Sequence, residues 1–310
     1  MIDPRIVFAG TPAFALASLT ALVEAGRNVV AVYTQPDRPA GRGRKLTASP
    51  VKRYAEEQGI VVMQPQTLRD ASAADDLASL EPDIMIVAAY GLILPQNVLD
   101  IPTQGCLNVH ASILPRWRGA APIQAAILAN DETTGVSLMR MTAGLDCGPV
   151  FSTQSATIAA NESAGELHDR LAAIGAELLL SDLQKILQGE LIAQQQDDSD
   201  ACYAAKITTE DALIDWSLPS EECQRRIRAY NPFPGAYFFT GDNETALRIK
   251  VWQASLVTGV NAAPGEIVKY DADAIVVACG RGALKLELLQ APGKRRGPAH
   301  EFISQLDIRQ

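Results

Sequence analysis

The chain has 310 residues, 47% hydrophobic and 20% charged, which is enough for two domains with their own cores. Its 27 basic and 36 acidic residues leave a net charge of −9, so a polyanion would have to bind through local basic patches rather than the overall field. No basic segment leads into an apolar run near Met1, no stretch is long enough to span a bilayer, and five scattered cysteines form no C-x-x-C. Secretion, membrane insertion, a structural zinc and a disulfide framework are therefore disfavoured, and a reducing, cytoplasmic compartment is expected.

Residues 5–10, apolar from Ile6 to Ala9 and closed by Gly10, predict a buried strand. Thr11 and Pro12 predict a helix start, Thr11 as cap and Pro12 at the first helical position, with Leu16, Leu19, Leu22 and Val23 as the apolar stripe. Residues 28–34 supply a second strand, so a parallel sheet is expected. Gly10 stands alone where a dinucleotide-binding turn would carry G-x-G-x-x-G, which weakens a nicotinamide-oxidoreductase reading. Residues 35–48 are too polar and glycine-rich to be regular. They concentrate Arg38, Arg42, Arg44 and Lys45 in an acidic part of the chain, with 15 basic and 23 acidic residues through Lys206. A solvated loop and a polyanion-binding loop both remain open there.

Ser49 and Pro50 start a helix that runs to Gly59, residues 61–62 read as a short strand, and residues 72–80 as a helix. Residues 82–89 predict a strong buried strand running into Tyr90, Gly91, Leu92, Ile93 and Leu94, at the carboxyl end, where open α/β sheets bind ligands. These residues could wall a flat, partly apolar ligand or belong to the core.

The most informative stretch is 105–122. Asn108 and His110 interrupt a short buried strand two positions apart, so both side chains leave one face. A core strand gains nothing from a buried amide beside an imidazole, since each needs a partner. A reactive site gains a neutral hydrogen-bond donor beside a group that titrates near neutral pH. A satisfied core histidine is the alternative. Ser112, Pro115 and Gly119 then break the regular structure, and Arg116, Trp117 and Arg118 cannot all be buried.

Residues 122–129 predict a helix, 134–141 and 150–157 strands, and the turn between those strands carries Asp146 between Gly144 and Gly148. Residues 163–187 predict a long helix with Ser163 and Glu166 as a capping box and His168 as a structural residue. Polar residues 188–202 mark a boundary, giving a first domain at 1–189, a linker at 190–206 and a second domain at 207–310. The second domain carries a helix at 220–229 and strands at 235–240, 246–255, 265–270, 274–279 and 283–289, the pattern of a small oligonucleotide-binding type of barrel. Lys294, Arg295 and Arg296 form another basic cluster.

With these pieces placed, the chain resembles the folate-dependent formyltransferases. Residues 8–14, 35–46, 89–95, 108–115, 144–148 and 228–237 carry the likeness. Asn108, His110, Ser112, Leu114 and Pro115, with the later Asp146, mark the superfamily. The Gly41 to Lys45 loop and the segment from Asn231 to Tyr237 point to members acting on aminoacyl-tRNA; Ile113 stands where the family usually has Leu. The resemblance implies an α/β fold, a Rossmann-like formyltransferase domain with a mostly parallel sheet followed by a C-terminal OB-like β-barrel. It implies transfer of the formyl group of 10-formyltetrahydrofolate to the amino group of initiator methionyl-tRNA, with no metal and neither DNA nor membrane as partner. Asn108 and His110 would then donate to the developing oxyanion, while Asp146 orients His110 and relays protons through water. Folate would lie along Tyr90, Gly91, Leu92 and Ile93 and along Ser112, Ile113, Leu114 and Pro115. The tRNA would meet Arg38, Arg42, Arg44, Lys45, Lys206, Lys294, Arg295 and Arg296. A sugar-nucleotide N-formyltransferase, a formyltetrahydrofolate hydrolase and a non-catalytic RNA-binding protein are the competing readings.

Overall fold

In the computed structural model, residues 3–40, 45–240, 246–270 and 275–305 are described. The chain opens with β1 (Ile6–Gly10), α1 (Ala13–Glu24), β2 (Val29–Tyr33), β3 (Arg38–Ala40), β4 (Lys45–Thr47), α2 (Pro50–Glu57), β5 (Val61–Met63), α3 (Ala71–Ser79) and β6 (Ile84–Ala88). It continues through α4 (Gln96–Leu99), β7 (Cys106–His110), β8 (Arg118–Gly119), α5 (Pro122–Leu128), β9 (Thr133–Arg140), β10 (Val150–Thr157), α6 (Ala164–Leu187) and β11 (Tyr203–Ala204). One compact unit contains Met1–Pro122, Thr133–Thr157 and His168–Ala204, and another contains Ile123–Glu132, Ile158–Leu167 and Ala205–Gln310.

The first unit is built on a seven-stranded sheet in the order β10-β9-β7-β6-β1-β2-β5. β7, β6, β1, β2 and β5 run parallel to one another, and β9 runs antiparallel to both β7 and β10. β1, β6 and β7 are buried at every position, which is why β1 and β6 read as unbroken apolar runs rather than alternating ones, while Asn108 and His110 interrupt β7. The chain winds outward from β1 through β2 to β5, then returns to place β6 on the other side of β1. The carboxyl ends of β1 and β6 therefore flank a topological switch point, the usual place for a ligand crevice. One face of the sheet packs Val7, Ala9, Ala31, Tyr33, Met85 and Val87 against Leu77, Tyr90 and Val98. Truncating a wholly buried leucine there, such as Leu77, would cost about 2–5 kcal/mol.

Gly10 lets α1 start tight against the sheet: a Cβ there would lie 2.5 Å from the Ala15 Cβ and 2.9 Å from the Ala88 carbonyl oxygen. Thr11 does not cap α1, contrary to expectation. Pro12 occupies the cap position, and the Thr11 hydroxyl donates to the Tyr90 carbonyl at 3.0 Å while accepting from the Gln35 backbone at 3.3 Å. A hydroxyl with better partners across the switch point is lost to the helix. Ser49 does cap α2, accepting from the Lys52 backbone at 3.0 Å with Pro50 behind it. Residues 35–48 also depart from expectation. β3 and β4 pair antiparallel, Arg38 opposite Thr47, so backbone bonding imposes regularity where composition argued for none. At the start of α6 the capping box forms: Ser163 N donates to Glu166 Oε2 at 2.8 Å and Glu166 N to Ser163 Oγ at 3.3 Å.

The second unit contains α7 (Ser220–Ala229), β12 (Tyr237–Thr240), β13 (Leu247–Val257), β14 (Ile267–Tyr270), β15 (Ile275–Ala278), β16 (Ala283–Gln290) and β17 (Gly297–Pro298). They form an antiparallel half-barrel in the order β12-β13-β16-β15-β14, with β17 added on β16. Register shifts between Val251 and Ala254 mark a bulge in β13, the device that bends a strand around a barrel corner. Cys223 and Ile227, one turn apart on α7, are buried with Ile249, Val251, Leu284 and Leu286 of the sheet.

Candidate active site

The site is built from the ends of neighbouring strands. β7 places Asn108 opposite Val87 of β6 and Met139 of β9, and ends at His110. Both side chains are largely buried, Asn108 at 8% and His110 at 6% exposure. His110 Nε2 lies 3.0 Å from the Trp117 carbonyl oxygen, and since a carbonyl only accepts, Nε2 carries a proton. Nδ1 then faces Asp146 Oδ2 at 3.8 Å, too far for a direct hydrogen bond. No hydrogen bond among the described residues engages the Asn108 amide side chain, which leaves a buried donor for a ligand.

Asp146 adopts a left-handed backbone, φ +48°, within the turn bounded by Gly144 and Gly148. A side chain at Gly148 would overlap the Arg140 carbonyl oxygen, so the glycine lets the turn lie against β9. The carboxylate is fixed from one side by the Gly119 backbone N–H, 2.8 Å from Oδ2. A brace that sequence reasoning missed fixes the turn from behind. Gln196 Nε2 donates to the Asp146 carbonyl at 2.8 Å and the Gly148 carbonyl at 2.7 Å, while its Oε1 accepts from Arg118 Nε at 3.0 Å. Arg118, 2% exposed, also donates to Asp198 at 2.8 Å, and its strand β8 pairs with β11. Of the three consecutive residues that could not all be buried, Arg118 is the one enclosed, and a carboxylate and an amide from 196–198 make that possible. Nothing in the sequence links Arg118 to Gln196 except the polar character of both.

Ser112 is wholly buried, and its hydroxyl donates to the Arg116 carbonyl at 2.6 Å, shaping the loop after β7. Leu114 is buried, and Ile113 and Pro115 half-buried. Across the switch point, Tyr90 is buried while Gly91 is exposed, Leu92 half-buried and Ile93 66% exposed, so this segment offers a backbone edge and an apolar surface. Burial, then the neighbouring Tyr33 phenol, holds the Tyr90 hydroxyl above its ordinary pKa.

The expected basic residues fall into two sets. Arg38 and Lys45 stand exposed on the β3–β4 hairpin; Arg42 and Arg44 lie outside the described residues. Lys206, Lys294, Arg295 and Arg296 are exposed on the second unit, where the Arg296 guanidinium sits 3.5 Å over the Trp252 ring. Sequence reasoning missed Arg248, stacked 3.7 Å over Tyr237, and Lys250, 5.3 Å from the Trp252 ring centre. Their i, i+2 spacing on β13 was the available signal. Burial first, then Arg248 and Arg296, pushes the Lys250 ammonium below its ordinary range.

An amide and an imidazole at the end of a parallel strand, facing a carboxylate across from a ligand crevice, suit transfer of a small carbonyl group to a nucleophile. The chain belongs to the formyl transferase family. The family's N-terminal profile, described as formyl transferase, matches residues 4–183, and the profile described as formyl transferase, C-terminal domain, matches residues 206–307. It is 48% identical over 301 residues to methionyl-tRNA formyltransferase of Marinobacter nauticus, covering 97% of this chain and 96% of the relative. It is 53% identical over 294 residues to the methionyl-tRNA formyltransferase of Pseudomonas fluorescens Pf-5, covering 94% and 91%. Among solved structures, an N-formyltransferase from Helicobacter canadensis in complex with folinic acid and dTDP-3-aminofucose superposes with a TM-score of 0.67 at 18% identity, covering 94% of this chain and all of that one. HypX from Aquifex aeolicus with tetrahydrofolic acid gives 0.65 at 16% identity, covering 98% of this chain and 47% of that one. At such identities these two structures speak to the fold alone.

Proposed function

We infer that this chain transfers the formyl group of 10-formyltetrahydrofolate to the amino group of initiator methionyl-tRNA, supplying N-formylmethionyl-tRNA for translation initiation in the cytoplasm. Support comes from the full-length relatives that carry this activity in their names, and from a site whose groups match the chemistry. The observation that carries the mechanism is His110 locked by Trp117 with Nδ1 turned towards Asp146.

A neutral amine attacks the formyl carbon, and negative charge grows on the formyl oxygen. The Asn108 amide, buried and unengaged among the described residues, donates to that oxygen. His110 donates from Nδ1 in its protonated form, with Asp146 stabilising the positive ring. The attacking nitrogen loses a proton, which passes by way of Asp146 and water to the departing N10. Collapse breaks the bond from carbon to N10 and leaves the formamide and tetrahydrofolate. The site fits the folate: the exposed edge at Gly91 and the apolar surface of Leu92 and Ile93 suit a flat ring, and residues 112–115 form the facing loop. Arg38, Lys45 and the neighbouring Arg42 and Arg44 meet the acceptor end of the tRNA, and Lys206, Lys294, Arg295 and Arg296 its body. Residues 1–189 act as the catalytic domain, 190–206 as its connection and 207–310 as the tRNA-contacting domain.

The test is transfer of labelled formyl from 10-formyltetrahydrofolate with methionyl-tRNA and a UDP-amino-sugar offered in parallel. Label in the tRNA is expected; label in the sugar nucleotide, or release as formate, would refute this reading.

A further inference from the structure

The Trp117 carbonyl that locks His110 belongs to an unusual stretch of backbone. Trp117 has φ +61°, the left-handed region that a residue with a Cβ enters only at a steric cost, so the surroundings must hold it there. Before it, Ser112 Oγ donates to the Arg116 carbonyl at 2.6 Å. After it, Arg118 N donates to the Cys202 carbonyl and Ala120 N to the Ala204 carbonyl, each at 2.9 Å, on either side of the pairing of β8 with β11. A Cβ at Gly119 would lie 2.6 Å from the Ala204 carbonyl oxygen, so the glycine admits residues 202–204 at this distance.

The side chain of Cys202 supplies a further hold. Its Sγ accepts from Trp117 N at 3.3 Å and lies 3.8 Å from Arg116 Nη1, whose guanidinium sits 4.4 Å over the Trp117 ring. Cys202 thus grips two successive backbone N–H groups, Trp117 with its sulfur and Arg118 with its carbonyl. Those N–H groups belong to the two rigid peptide planes on either side of the Trp117 Cα, so fixing both planes fixes φ and ψ of Trp117 together. The second plane also carries the Trp117 carbonyl, 3.0 Å from His110 Nε2. An unbroken path therefore runs from the Cys202 sulfur to the imidazole. A ring that already holds a proton on Nε2 takes its second one on Nδ1, the nitrogen that faces Asp146.

We propose that Cys202 is a positioning residue for His110: its sulfur holds Trp117 in the left-handed conformation that aims the Trp117 carbonyl at Nε2, and so sets the tilt of the ring and which nitrogen is left for the formyl oxygen. The proposal rests on the reading that His110 acts in formyl transfer. A sulfur is a weak acceptor, and its contribution here is direction rather than stability.

The test compares full-length wild type with Cys202→Ala, Cys202→Val and Cys202→Ser. Valine fills the space of the thiol without accepting a bond, and serine keeps an acceptor on the same carbon. Steady-state transfer gives kcat and KM for both substrates. Protein labelled with ¹⁵N-histidine gives the ring-nitrogen shifts of His110, assigned by the signal lost in His110→Ala and read at about pH 9, where an imidazole is ordinarily neutral. Wild type should show the proton on Nε2. Alanine and valine should show a mixture of the two neutral forms, with kcat lower by between about tenfold and a hundredfold and both KM values near wild type. Serine should recover the wild-type spectrum and most of kcat. An unchanged ring spectrum in the valine variant would overturn the proposal, as would a changed spectrum with wild-type kcat, a rise in KM at constant kcat, or a serine variant as impaired as alanine. The spectrum needs no substrate, so absence of wild-type transfer to methionyl-tRNA would overturn the functional reading, while the link from Cys202 to His110 would still stand or fall on the ring nitrogens.

Discussion

Replacing Gln196 tests whether the turn that carries Asp146 is held from behind. Its amide makes two donor bonds, at 2.8 and 2.7 Å, and one acceptor bond at 3.0 Å to a buried guanidinium. Gln196→Leu leaves two carbonyls and the Arg118 Nε without their partner. At about 1 kcal/mol for each neutral bond and about 1.5–3 kcal/mol for the charged one, the loss is roughly 3–5 kcal/mol if nothing relaxes. Relaxation is the more informative outcome, because Asp146 sits only 3.8 Å from His110 Nδ1 and its carboxylate is held on the other side by the Gly119 N–H. A shift of about 1 Å there should lower kcat by up to about a hundredfold. Gln196→Glu separates the two roles. It keeps, and strengthens, the bond to Arg118 but turns a carboxylate towards two carbonyl oxygens. It should therefore lose activity while retaining more stability than the leucine variant. Steady-state kinetics on both substrates, paired with thermal unfolding, provides the assay. If both variants keep wild-type kcat, Asp146 is positioned without Gln196 and the reasoning is refuted.

His110→Ala, Asn108→Ala and Asp146→Ala should each reduce turnover by about a hundredfold or more with the fold intact, and their combination should cost far less than the product, measured by single-turnover transfer. Gly91→Ala introduces a Cβ that overlaps the Gln35 amide at a residue with φ +81°, so KM for folate should rise and thermal stability fall. Neutralising Arg42, Arg44 and Lys45 together should weaken tRNA binding and flatten its salt dependence, with folate affinity unchanged, as read by filter binding across salt concentrations. The bonds from Lys52 and then Gln64 hold the Asp37 carboxyl below the usual carboxylate range. A depressed native pKa contributes stability above the unfolded value, about 3.9, that is lost as pH falls through the native one. Thermal unfolding should therefore keep this contribution across the neutral range and lose it only in strong acid.

What the sequence disclosed follows the range over which its signals act. Asn108 and His110 stood out because a strand's two-residue period puts both on one face, a rule that needs no knowledge of neighbours. The caps at Ser49 and Ser163 were legible because their partners lie three residues away. The half-barrel strands were legible because turns punctuate them. Thr11 misled for the complementary reason: its hydroxyl is taken by Tyr90, 79 residues distant, and local preference does not weigh such a rival. Composition argued against β3 and β4, whose regularity comes from backbone pairing rather than side-chain preference. Gln196 and Arg118 could not have been found, because a polar run seen alone gives no sign of a buried guanidinium 78 residues earlier.

The pairing of β8 with β11 bears on how the protein can be cut, grafted or made. The N-terminal family profile ends at residue 183, yet the residues that seat Arg118 and the Asp146 turn come at 196–204. A chimera joined at the profile boundary would carry the three residues assigned to the chemistry without the segment that steadies one of them. A junction after Ala204 would keep that segment with the site. The same order governs synthesis on the ribosome: the turn that carries Asp146 has all its supports only after the chain has emerged well past the sheet, so premature termination near residue 190 should yield a folded sheet with that turn loose.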